Sequence, residues 1–170
     1  MLAELRRLLS ICPATATHED YRSAVVAENV LLKQISATRR YTFRRLRELY
    51  ALEPSTPVFR ALRDLWDTDE AAQPLLALLC AIARDPVLRS TSELVLATPP
   101  GGPVTPRVLG HAVEERFPGR FNARMVGKIG RNLASSWRQS GHLQGRLHKV
   151  RSATICRPAN AAYALYLGYL

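Results

Sequence analysis

Arg124, Lys128, Arg131, Ser135 and Arg138 recur at intervals of four, three, four and three residues, with Asn132, Ser136 and Gln139 beside them. At about 3.6 residues per turn this spacing gathers them on one side of a helix. From Arg120 to Arg151 there are eight Lys or Arg and no Asp or Glu. An ordinary solvated helix mixes signs and gains i,i+4 pairs, whereas this one repels itself unless an anion lies along it. The chemistry that fits is recognition of a polyanion.

Signals for catalysis are weak. His18, His111, His142 and His148 show neither HExxH nor paired-histidine spacing, and no phosphate-cradling glycine loop is present. Gly127 and Gly130 lie inside the basic run, where close packing against a neighbouring helix explains them better than a nucleotide loop. Glu114 and Glu115 read as solvating carboxylates. Cys12, Cys80 and Cys156 are odd in number, far apart and without CxxC spacing, which argues against a disulfide framework or a zinc site and for a reducing, cytoplasmic setting. No cofactor is implied. The longest apolar runs fall well short of the ~20 residues that cross a bilayer, so no membrane partner is expected.

The element that positions the basic residues is a helix from Ala123 to Ser140, with Asn122 as N-cap and Gly141 past its end. Met125, Val126, Ile129, Leu133 and Trp137 form its expected buried face. Upstream, Thr105 and Pro106 open an amphipathic helix that ends at Pro118-Gly119. Downstream, Leu143, Leu147 and Val150 alternate partly, Gly145 allows a bend, and Ser152 to Cys156 is a second extended candidate. Helix, turn, longer basic helix and basic hairpin is the order of a winged helix-turn-helix.

The formal charge of +10 sits mostly in this part: residues 105–157 hold eleven Lys or Arg against Glu114 and Glu115, whereas residues 1–104 are nearly balanced. Residues 1–97 read as a helical bundle, with helices expected over Leu2 to Ser10, His18 to Leu32, Ser36 to about Leu52, Pro57 to Trp66, Ala71 to Arg84 and Pro86 to Ala97. The third of these is a second basic element, with Lys33, Arg39, Arg40, Arg44, Arg45 and Arg47 all before the first carboxylate, Glu48. Together with the helix before it, it has a helix-turn-helix outline of its own. Glu48, Glu53, Asp64 and Asp67 lie close enough in sequence to neutralise several of those arginines. Residues 98–104, with three prolines and two glycines among them, read as a linker to a basic domain over 105–170. The fold class is mainly α: an N-terminal helical bundle plus a C-terminal winged helix-turn-helix-like lobe with a short β-hairpin.

The segments Ala27-Glu28-Asn29-Val30-Leu31-Leu32-Lys33 into Ser36-Ala37-Thr38-Arg39-Arg40, Ala83-Arg84-Asp85-Pro86-Val87-Leu88-Arg89, and Ser140-Gly141-His142-Leu143 followed by a basic hairpin and Ala162-Tyr163-Ala164-Leu165 carry a further signal. In these the chain resembles the BrxA-like small proteins of bacterial phage-exclusion (BREX) defence systems, over most of its length, although it is short for such a family. The resemblance implies an all-helical protein of two lobes that binds double-stranded DNA as an accessory part of a defence complex, with other defence-system proteins as partners.

The residues expected to meet nucleic acid are therefore Arg124, Lys128, Arg131, Asn132, Ser135 and Arg138 on the basic helix, Arg146, His148, Lys149 and Arg151 on the hairpin, and Arg39, Arg40 and Arg44 on the N-terminal basic helix. The alternatives are an RNA-binding helical protein and a basic scaffold that docks an acidic protein. Few exposed aromatics favour a duplex over single strands.

Overall fold

Polar caps and prolines start most of the helices in the structure, a computed structural model that describes residues 1–170. In chain order these are α1 (Leu2–Ile11), α2 (His18–Val26), α3 (Ser36–Tyr50), α4 (Pro57–Trp66), a 3-10 turn (Glu70–Ala72), α5 (Gln73–Arg84), α6 (Pro86–Arg89), α7 (Ser92–Ala97), α8 (Pro106–Arg116), α9 (Ala123–Gln139), strands β1 (Leu143–Gln144) and β2 (Val150–Arg151), and α10 (Pro158–Tyr169). The protein is mainly helical with one two-stranded antiparallel sheet. It forms two units, Met1–Arg84 with Pro158–Leu170, and Asp85–Arg157. No single helix is long and apolar enough to cross a membrane.

In the first unit, Thr17 caps α2 by accepting from the Asp20 N–H while the Asp20 carboxylate accepts from the Thr17 N–H. Helix α5 packs against α3, α4 and α10 and buries Leu76, Ala77 and Cys80 among Leu46, Tyr50, Leu62, Trp66 and Tyr163. Each large apolar side chain removed from water in this way stabilises the fold by about 1.5–3 kcal/mol. Two polar tips from α10 find carbonyls inside: Tyr163 Oη donates to Val58 O at 2.8 Å and Asn160 Nδ2 to Ala72 O at 2.9 Å. Burial pushes the Cys80 thiol up to about 12 and raises the Tyr50 and Tyr163 hydroxyls as well.

Two expectations for this unit need correction. Helix α2 stops at Val26 rather than Leu32. Asn29 and Leu32 take positive φ (56° and 54°), and Asn29 Oδ1 accepts from the Lys33 N–H at 2.8 Å, an asparagine bond that competes with the helical ladder. The polar Ser36, which the sequence offers as the cap of the third helix, is instead the first residue of α3. The N-cap is Ile35, which has no side-chain acceptor.

In the second unit, Asp85 accepts from the Val87 and Leu88 N–H groups and opens α6. The helix expected from Pro86 to Ala97 is broken after Arg89, where the Ser90 and Thr91 hydroxyls donate back to Val87 O and Leu88 O. Residues 98–104 are not a linker between domains. Gly101 N donates to Arg151 O, Arg151 N to Gly102 O, and Val104 N to Lys149 O, so this stretch runs as an extended edge beside β2. Its prolines forbid a helix but suit a sheet edge, where a missing N–H leaves no ladder bond unmade. The divisions therefore fall at Arg84/Asp85 and Arg157/Pro158, and the last helix belongs to the first unit. Strand β2 is Val150–Arg151, and residues 152–157 are irregular.

Candidate nucleic-acid interface

Helix α9 is placed by two glycines. A Cβ on Gly130 would sit 2.0 Å from Pro106 O at the start of α8, and one on Gly110 would meet Val126 at 3.1 Å. Only bare backbone allows α8 and α9 to approach this closely. Gly127 has open space instead, with just the Arg131 side chain at 3.6 Å, so packing explains Gly130 and not Gly127.

Asn122 Oδ1 accepts from the Met125 N–H at 2.9 Å and caps α9. Leu133, Ala134 and Trp137 are buried with Gly130, whereas Val126 and Ile129 are half-buried. Met125, expected inside, is 46% exposed because it lies about 120° around the helix from Trp137. Trp137 Nε1 donates to the buried Thr91 hydroxyl at 3.0 Å, and its ring meets His142 edge-on at 5.2 Å. His142 Nδ1 is bonded to Ser140 Oγ, and burial with Arg151 nearby lowers its pKa to about 4. It is a neutral structural group at neutral pH, not a phosphate ligand.

The outward face carries Arg124, Lys128, Arg131, Asn132 and Arg138, all exposed, with Ser135 half-buried and accepting from Gln139 Nε2. None of these cations has a carboxylate within ion-pair distance. The one such contact in the second unit is His111 to Glu115 at 3.4 Å on α8.

The hairpin loop between β1 and β2 turns at Gly145, whose φ is 93° and where a Cβ would lie 2.0 Å from His148 O. Arg146 and His148 are exposed, and Lys149 Nζ donates to Arg146 O at 3.0 Å. Leu147, read as part of the strand alternation, is 85% exposed because it sits in the loop between the strands.

Arg151 departs from expectation. Its guanidinium donates to Val95 O at 2.9 Å, to His142 O at 3.3 Å and to Ser152 O, binding the hairpin to α7 and to the residue that leads into β1. Its Nε and Nη1 donors are taken by carbonyls, so it positions the hairpin.

The turn before α9 adds residues that spacing did not single out. Arg120 lies 5.4 Å from the centroids of both Phe117 and Phe121, and Arg116 lies 5.9 Å from Phe117. These rings hold the exposed Arg120 at the N-terminal end of α9, on the same end as Arg124. The clue in the sequence was the Phe117/Phe121 bracket around Arg120.

On α3 the arginines divide. Arg39 Nε donates to Lys33 O at 2.9 Å and is half-buried, so its guanidinium is held by backbone. Arg40 and Arg44 are exposed. Of the carboxylates expected to neutralise this helix, Glu48 takes Arg45 at 2.6 Å and touches Arg44 at 4.0 Å, while Asp67 pairs with the buried Arg63 of α4.

Comparison with protein-family models, curated proteins and solved structures finds no match to this chain. The functional reading rests on residues and geometry.

Proposed function

We propose that this is a non-enzymatic double-stranded DNA-binding protein whose second unit works as a winged helix-turn-helix, with α9 entering the major groove and the hairpin touching the backbone. The observation that carries this is the outward face of α9: four exposed cations with no carboxylate partner, continued by Arg146 and Lys149 on the hairpin. The order of α8, tight turn, α9 and hairpin supports the reading, as does the paired edge at 101–104. The major groove, about 12 Å wide, admits a helix. Arg124 and Lys128 stand near the N-terminus of α9, the end that meets base edges in such folds, and Asn132 follows one turn later. Arg131, Arg138, Arg146 and Lys149 are spaced for phosphates, with Ser135 and His148 as neighbours that donate hydrogen bonds.

The sequence resemblance to BREX accessory proteins supplies the setting, a phage-defence complex in which other defence proteins are partners. Binding measured with duplex DNA, duplex RNA and single strands at several salt concentrations tests the proposal. The six contacts of α9 and the hairpin contribute about −5 to the slope of log K against log salt on duplex DNA. Replacing Arg124 costs about 1–3 kcal/mol and relaxes sequence preference. Equal affinity for single strands, or no salt dependence, overturns it.

A further inference from the structure

Arg40, Arg44 and Arg47 are spaced four and three residues apart on α3, and all three are exposed. Glu48 is the one carboxylate on the helix, and Arg45 holds it at 2.6 Å while Arg44 reaches it only at 4.0 Å. Arg40 and Arg47 have no carboxylate within ion-pair distance. Arg84 donates to the carbonyl oxygens of Glu48 and Arg47, so the negative end of the helix backbone already has its cation. The Arg44 guanidinium lies 5.3 Å over the ring of Tyr41, itself 52% exposed, and is braced outward. Three like charges stand in a row, and the long Arg44–Glu48 contact is the one ion pair among them.

We propose that this ridge is a second DNA contact, one that takes the phosphate backbone of a duplex without reading its bases. From Arg40 to Arg47 the helix rises about 10 Å, a length over which one strand of a duplex presents about three phosphates. Cations and anions thus match in number, and the long arginine side chains span the difference in spacing. The ridge has none of the Asn and Gln side chains that flank the cations of α9 and that pair with adenine edges. Because α3 and α9 belong to different folded units, each contact can be removed by substitution without touching the other helix. The inference extends the reading of α9 to a second surface but stands on its own charges.

The test uses the full chain and a labelled duplex of arbitrary sequence over a series of salt concentrations. With nine contacts the wild-type slope is near −8. The variant R40Q/R44Q/R47Q is expected near −5, and a variant with Arg124, Lys128, Arg131, Arg138, Arg146 and Lys149 all changed to Gln near −3. The charge-keeping variant R40K/R44K/R47K returns the wild-type slope, with circular dichroism unchanged in each. A wild-type slope in R40Q/R44Q/R47Q overturns the proposal, as does a lysine variant that behaves like the glutamine one. If R40Q/R44Q/R47Q keeps the DNA slope but loses binding to polyglutamate, the ridge serves an acidic protein instead. Failure of the α9 reading looks different, since then the six-residue variant is the one that matches wild type.

Discussion

Helices α9 and α3 carry the same formal charge by different routes. Helix α9 has four basic residues and no acid, whereas α3 has five arginines and one glutamate. On α3 the protein answers part of the charge itself, through Glu48 and through the backbone oxygen that holds Arg39. On α9 it answers none. The difference teaches that net charge does not locate a binding face. What matters is which cations lack an internal partner, and how rigidly the helix beneath them is held. Helix α9 is fixed by the Gly130 contact and the Trp137–Thr91 bond, with the hairpin tied down by Arg151.

The sharpest way to break the comparison is to neutralise each helix separately. Changing Arg124, Lys128, Arg131 and Arg138 to Gln lowers duplex affinity about a thousandfold near physiological salt, against about a hundredfold for Arg40, Arg44 and Arg47, as judged by fluorescence anisotropy. Equal losses would erase the distinction between the two faces.

Packing under α9 gives the next largest effect. Gly130→Ala drives a methyl into Pro106 O and destabilises the second unit by about 1–3 kcal/mol in urea unfolding. Gly127→Ala, three residues earlier and facing open space, stabilises it by up to about 1 kcal/mol. Opposite signs at these two glycines are the expected result.

Acid separates the two units as well. His142 is depressed to about 4 in the folded protein from an ordinary value of 6.5, so its contribution to stability is fully present above pH 6.5 and is lost as pH falls toward 4. The second unit loses about 1–2 kcal/mol between pH 7 and pH 5. In the first unit, burial pushes the Glu4 carboxyl up, but Lys33 and the N-terminal amine outweigh this and hold it low, so its loss comes below that window. Each unit has one tryptophan, Trp66 and Trp137, so fluorescence of W66F and W137F variants follows them separately, and His142→Gln flattens the profile of the second unit.

The smallest effect makes α3 more like α9. Glu48→Gln frees Arg45 and strengthens duplex binding about fivefold, with the slope steeper by about one. No change would mean that Arg45 cannot reach the ligand.

Much of this molecule was legible from pattern. The α8 start at Thr105-Pro106, the α9 cap at Asn122, the one-sided cations and the buried Trp137 follow from short-range rules of capping and helical period. The end of α2, the break after Arg89 and the fate of residues 98–104 did not, because each depends on local side-chain bonds or a partner strand far along the chain.

The sequence by itself determined where positive charge collects and that helices carry it, since both follow from residue type and a period of about 3.6. Only the tertiary structure decided which of those charges remain outward. Arg151 and Arg39 look like ligand-binding arginines in the sequence, yet carbonyl oxygens brought to them by folding take some of their donors and hold their side chains in place. A guanidinium donates to any acceptor oxygen at the right distance, and that distance is a property of the fold.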